Sequence, residues 1–344
     1  MPTLENDDVR VSIDSRTGAM AGFADGEWEI QARPELGLSF RLLLPLSERR
    51  NNSVIGLDQE PPQIETSDSS ITLRWPRVRS EYGGDHEIGV TQSVRLTERR
   101  IVFGLTIDNR SEFTVENAWY PCLGDVRPPV AGESLRTFTG FYGTALQTSV
   151  LPTFDNNAGY WGVDVPSQIG GQEIGRAGIV PVSPFMLLLA NGRGVYVGVA
   201  EQRWDVVAWW LELRPGYGDS LHRRAADDAA VQLAAAHAPF VAPGEKCELT
   251  PIAVEPFIGD WHDGADLYRR ASGGWPEPIE HPAWVDEPHS WLQCQINFAK
   301  RTTRTPASWI SRIPSRNSSS LPSFGSGRCK GFPRSWPPTF QPTS

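Results

Sequence analysis

Several features are scarce in this chain, and each scarcity narrows what it can be. There are four cysteines in 344 residues, Cys122, Cys247, Cys294 and Cys329. They form no Cys-x-x-Cys pair and have no histidine at ligand spacing, so neither a zinc site nor a disulfide framework is expected. No apolar run approaches the roughly 18 residues that span a bilayer. The first ten residues offer no basic stretch followed by an apolar one, so export is not expected and the cytoplasm is the expected compartment. Basic charge is also short, with 32 Lys and Arg against 41 Asp and Glu for a net charge of −9. Nucleic acids and anionic membranes recruit stripes of Lys and Arg, so neither is an expected partner. No Gly-x-Ser-x-Gly, P-loop or dinucleotide fingerprint occurs, and no cofactor is implied.

Aromatics and turn formers are abundant: 13 Trp, 14 Phe and 7 Tyr stand beside 32 Gly and 29 Pro. That mixture belongs to a β-rich protein with many turns. Ile71, Leu73 and Trp75 alternate with polar residues, and so do Val90, Val94 and Leu96. After the polar break Thr97 to Arg100, the alternation resumes at Ile101, Phe103, Leu105 and Ile107. Two period-2 runs around a short polar break predict a hairpin with one buried face. A second hairpin is expected where Met186 to Ala190 meets Asn191 and Gly192 before Val195, Val197 and Val199, since Asn-Gly favours a type I′ turn. Segments of this kind run from about residue 8 to 257, which predicts on the order of 15 to 20 strands. The expected fold is mainly β, a large antiparallel sandwich of two sheets. No fixed-period repeat points to a propeller.

One helix is expected next. Asp260 is placed to cap it, Trp261, Ala265 and Tyr268 share one face, and Arg269 and Arg270 sit near its end before Gly273 and Gly274. The domain plan is a sandwich over 1–257, a linker helix over 258–275, and a connector with the start of a further domain over 276–300. Residues 301–344 change character, with six Arg, one Lys, ten Ser, seven Pro and no acidic residue, so the net charge is −16 before them and +7 within them. Such a composition predicts disorder. It fits either a basic tail or translation in a shifted reading frame, and the 29 Arg against three Lys of a GC-rich gene favour the second.

The stretch Val254 to Arg270, with Pro282 to Val285 and Trp291 to Asn297, resembles the junction of multidomain glycoside-hydrolase-like proteins. There a galactose-mutarotase-like supersandwich leads through a linker helix into a (β/α)8 barrel. The family it is most similar to is an uncharacterised bacterial one, related in layout to α-galactosidase-type enzymes. Leu105 to Pro121 resembles the supersandwich pattern of strand, Asn-containing turn and strand. The resemblance implies that only the first strand of the barrel is present here and the rest is missing. It carries over no catalytic residue, because glycoside hydrolysis needs two facing carboxyl groups and the barrel supplies them in such proteins.

Local candidates are few. Asp85, His86 and Glu87 put two acids and a base together, but in a strand the acids share one face and His86 takes the other, so an exposed polar segment is the simpler reading. Asp260, Asp263 and Asp266 fit compensation of the helix dipole better than a cation site. His281 and His289 lack a third ligand, Asp227 and Asp228 fit a solvated charge cluster, and no metal is expected. Trp204, Trp209 and Trp210 fit core or interdomain packing. Tyr160 and Trp161, beside Asn156 and Asn157 in a polar Gly-rich stretch, are the candidate substrate-binding residues: an exposed aromatic for the apolar face of a sugar, amides for its hydroxyls. Three functions follow in order: the non-catalytic sandwich of a glycoside-hydrolase-like protein acting on carbohydrate, an independent carbohydrate-binding module, or a mutarotase- or epimerase-type enzyme. The last requires a histidine and a carboxylate converging on one face.

Overall fold

A computed structural model of the chain describes residues 1–141, 144–151, 167–169, 184–201, 203, 205, 207–214 and 230–271. The chain divides into two units, Met1–Glu277 and Pro278–Ser344, and every described residue belongs to the first. Among the described residues are 22 strands in two sheets, one of twelve and one of ten. Neighbouring strands pair antiparallel in both. The strands outnumber the sequence expectation because several are pieces of three residues, such as Arg41–Leu43, Ser53–Ile55 and Val78–Ser80, too short to show a period.

The hairpin read from alternation forms as Ile88–Thr97 and Arg100–Asn109, with Thr97 opposite Arg100. Glu98 and Arg99 make its two-residue turn, and Glu98 takes φ 51°. Ile101, Phe103, Leu105 and Ile107 are buried, as the period requires. The second hairpin pairs Phe185–Ala190 with Arg193–Val199, with Ala190 opposite Arg193. Its turn departs from the expected type I′ in one respect. Gly192 has φ +69° and Asn191 is not left-handed, which is the sign pattern of a type II turn. The glycine takes the left-handed position at little cost, so Asn191 need not.

Inner faces of both sheets share one hydrophobic core. Phe103 of the smaller sheet meets Tyr120 of the larger edge-to-face at 5.9 Å, and Phe40 meets Trp75 at 5.1 Å. Each fully buried side chain of this size contributes roughly 1.5–3 kcal/mol through its apolar area. Asn109, also buried, closes the Leu105 to Pro121 region. Its amide nitrogen donates to the carbonyls of Phe113 (2.7 Å) and Val241 (2.9 Å), and its Oδ1 accepts from the amide and hydroxyl of Ser111.

The helix Trp261–Ala271 covers the outer face of the smaller sheet. Asp260 caps it by accepting from the amide of His262 at 2.7 Å, while Asp263 accepts from the amide of Asp260 at 2.9 Å. That reciprocal arrangement satisfies two orphan amide donors. Trp261 stacks on Phe138 (4.9 Å) and Tyr268 on Phe185 (4.8 Å). Leu267 is buried in the same cluster. Close approach occurs at Gly264, where a Cβ would meet Leu187 Cδ1 at 2.6 Å and Phe257 Cζ at 2.7 Å.

Gly264→Val therefore forces the helix away from the sheet and should destabilise the protein by about 1–3 kcal/mol. Asp260→Ala should cost about 1 kcal/mol through the lost cap. Urea unfolding of both variants checks the two values; an unchanged midpoint for Gly264→Val would show that the helix is not seated on Leu187 and Phe257.

Candidate functional site on the outer face of the larger sheet

The strand Asn117–Val126 lies inside the twelve-stranded sheet and sets what appears on its outer face. On one edge it pairs with Arg41–Leu43, and on the other with Ala230–His237, which pairs in turn with Val207–Arg214. Its register slips between Trp119 and Cys122 and again between Leu123 and Val126. Each slip sets two residues of this strand, Tyr120 and Pro121 or Gly124 and Asp125, against one of its partner, which is a β-bulge. Pro121, which has no amide to give a ladder, falls inside the first. Ala118, Tyr120, Leu123 and Val126 thereby belong to the core. Trp119 and Cys122 share the opposite face although they are three residues apart.

Across that face the register sets two rows. Arg41 lies opposite Trp119, Trp119 opposite Ala236, and Ala236 opposite Ala208. In the next row Cys122 lies opposite Ala234 and Ala234 opposite Trp210. Three alanines thus make a low floor, with half-buried Trp119 on one side and half-buried Trp210 on the other. The strands bearing the two tryptophans are two spacings apart, roughly 10 Å. Trp209, one residue on, is fully buried in the core, as the alternation demands.

Charge is concentrated on the Trp119 side. The Arg41 guanidinium lies 5.1 Å from the centre of the Trp119 ring, and its Nε and Nη2 donate to Ser53 Oγ at 3.3 and 3.1 Å. Near the end of the same strand, Asp125 is fully buried and accepts from Arg33 Nε and Nη2 and from Arg127 Nε, each at 2.8 Å. A carboxylate held by two guanidinium groups has both oxygens engaged, so it suits a positioning role. Cys122 is buried, and its thiol is pushed up to about 12 by desolvation, with Arg41 opposing only in part. It is therefore a poor nucleophile near neutral pH.

Of the described histidines, His86 and His237 lie on the core side by the same parity, and His262 is exposed on the helix Trp261–Ala271 with its Nδ1 2.9 Å from Asp260 Oδ1. His237 lies opposite Ala118 and Val207 on the core side and is buried. It is hydrogen-bonded through Nε2 to the Tyr120 carbonyl at 3.1 Å, with burial pushing its pKa down to about 4. His86, opposite Val78, is buried with Nε2 at 2.8 Å from Ser80 Oγ, and desolvation lowers its pKa. The acids beside it point the other way, Asp85 to Arg79 at 2.7 Å and Glu87 to Arg77 at 3.0 Å. Among the described residues no group of three or more metal-ligating side chains occurs, and both described cysteines, Cys122 and Cys247, are free thiols. No helix among them is long and apolar enough to cross a membrane. Tyr160, Trp161, Asn156 and Asn157 lie outside the described residues, as do Trp204, Asp227, Asp228, His281 and His289. The sequence reading missed Trp119 and Arg41. An Arg followed by an apolar triplet and a Trp-Tyr-Pro run carry no pattern that would join them.

No protein-family model matches the chain, and no curated protein matches it significantly. Among solved structures it is similar to a galactose mutarotase related enzyme from Lactobacillus acidophilus, with 12% identity, a TM-score of 0.45, and 75% of this chain and 97% of that one covered. It is similar to a galactose mutarotase-like protein from Lactobacillus casei, with 12% identity, a TM-score of 0.40, and 75% and 100% covered. It is also similar to a GH36 alpha-galactosidase from Geobacillus stearothermophilus in complex with stachyose, with 10% identity, a TM-score of 0.43, and 78% of this chain but 42% of that one covered. The sandwich architecture itself is carried by the strand pairing described above.

Because His237 is neutral in the fold and takes a proton more readily when unfolded, acid should weaken the protein. Its contribution is fully present above about pH 6.5 and is lost as pH falls towards 4, by about 3 kcal/mol in total. His237→Gln should flatten the fall in unfolding free energy between pH 7.5 and 4. Parallel profiles for the two proteins would show that His237 is not held neutral. Asp125→Asn should cost about 2–3 kcal/mol at pH 7, since it leaves two guanidinium groups facing a neutral amide.

Proposed function

We propose that residues 1–257 are the carbohydrate-handling, non-catalytic sandwich of a larger glycoside-hydrolase-like protein, and that the sugar ring lies in the trough between Trp119 and Trp210. The observation that carries this reading is the pair of half-buried indoles flanking a floor of Ala208, Ala234 and Ala236. Pyranose rings present C–H groups on their faces, which stack on indole, while their hydroxyls need a few well-placed polar groups at the rim. Ser53 and Arg41 supply such groups on one side. The junction resemblance supports the wider part of the proposal: residues 258–275 serve as a linker helix and 276–300 begin a barrel that holds the catalytic carboxyl groups. Tyr160, Trp161, Asn156 and Asn157 are proposed to add contacts from their polar stretch. A proton-transfer role at the anomeric centre has less in its favour, because His86 and His237 both lie on the core side.

Titrating the full chain with galactose, glucose and raffinose, read by tryptophan fluorescence and saturation-transfer NMR, tests this. At least one sugar should bind saturably, and Trp119→Ala and Trp210→Ala should each weaken it about tenfold or more. The chain should not turn over aryl glycosides, since hydrolysis needs a facing carboxyl pair. Absence of saturable binding by every sugar would overturn the reading, as would turnover abolished by one point mutation within 1–257.

A further inference from the structure

We infer that the ligand of this trough is an acidic sugar, a uronic acid whose carboxylate is taken by Arg41; the inference rests on the sugar-binding reading above. In this acidic chain most described ion pairs follow one pattern, an arginine held by a carboxylate, as with Arg10 and Glu29, Arg50 and Glu116, or Arg100 and Glu255. Arg41 lies outside that pattern, as do Arg49 over the Tyr82 ring and Arg193 over the Trp28 ring, and it differs from those two in the hydrogen bonds that fix it to Ser53. It is exposed, and its contacts among the described residues are the Ser53 hydroxyl and the Trp119 ring, with no carboxylate. Glu81, whose carboxylate accepts from the Ser53 amide at 3.3 Å, makes no ion pair with it. Asp125, the buried acid near the other end of the Trp119 strand, is already held by Arg33 and Arg127.

The guanidinium is also held in place. Ser53 Oγ occupies the edge formed by Nε and Nη2, and the Trp119 ring fixes the plane, while Nη1 has no hydrogen bond among the described residues. An arginine so oriented has lost its rotamer freedom before a ligand arrives, and its remaining donors suit the two oxygens of a carboxylate. The Arg41 guanidinium lies over the Trp119 ring at 5.1 Å, so a sugar stacks on the opposite face and reaches Arg41 with an exocyclic group that extends past the edge of the indole. A hydroxymethyl group there needs no formal charge; a carboxylate uses it fully. One cation with a serine matches a single negative charge better than a phosphate dianion.

The test titrates the full chain with galacturonate and glucuronate beside galactose and glucose at low and high salt. In about 50 mM salt the uronate should bind about tenfold more tightly than its neutral parent, equal to 1.4 kcal/mol. That advantage should shrink as salt screens the pair. Arg41→Gln should bring the affinity ratio close to one, and Arg41→Lys should keep part of it, because charge remains while the fork is lost. Equal affinity for both sugar types, or a ratio untouched by Arg41→Gln, overturns the acidic-sugar inference and leaves sugar binding standing. Failure of every sugar to bind removes both. Tighter binding of glucose 6-phosphate than of glucuronate would also overturn it, in favour of a phosphorylated ligand.

Discussion

A β-strand turns successive side chains to opposite sides, and a sandwich core claims one of those sides from every strand. That constraint decides which residues of this protein are free for chemistry. Val54, Leu42, Ala118, Leu233, Trp209 and Leu211 are all taken by the core. Their neighbours are left on the outside, and the outside of the two sheets is used differently. The helix Trp261–Ala271 covers the smaller sheet with Leu267, Trp261 and Tyr268 over Phe138, Phe185 and Phe257. The larger sheet instead carries Arg41, Trp119, Cys122 and Trp210, a set too polar and too varied in size to be a second apolar cover.

Much of the scaffold was legible because its signals are local. The hairpin of Ile88–Thr97 and Arg100–Asn109 is announced by ten-residue strands whose alternation has one polar exception, Gln92. The helix is announced by an aspartate cap and an apolar stripe, and both form as the spacing implies. Trp209 and Trp210 were legible only by half: one joins the core, and the other turns to the outer face. The short strands were not legible at all. Ser53–Ile55 pairs with Arg41–Leu43 and Gly84–His86 with Val78–Ser80, all near neighbours in the chain, but three residues cannot display a period.

The candidate site was hidden for a further reason. A strict alternation from Ala118 along Asn117–Val126 would set Trp119, Pro121, Leu123 and Asp125 on one face and Cys122 on the other. The two bulges break that parity, so Leu123 returns to the core and Cys122 joins Trp119 outside. Nothing in the residues between them states that an extra residue will be left unpaired, although Pro121 and Gly124 are the types that tolerate it. Gly124 is further constrained, since a Cβ there would meet the carbonyl oxygen of Leu36 at 1.7 Å. A close backbone crossing of that kind is a tertiary fact, invisible to any window of sequence.

The bulges also bear on what the site can do. By spending one extra residue twice, the strand keeps Leu123 and Val126 in the core while bringing Cys122 to the face that carries Trp119. The thiol is then buried and protonated. Two guanidinium groups hold the carboxylate. The described thiol and the Asp125 carboxylate are thus committed, whereas the Trp119 ring and the oriented Arg41 guanidinium are presented on the outer face. The proposed ligand-holding role rests on that division. Bond-breaking chemistry needs a carboxyl group free to change partners, and the Asp125 oxygens are taken by Arg33 and Arg127.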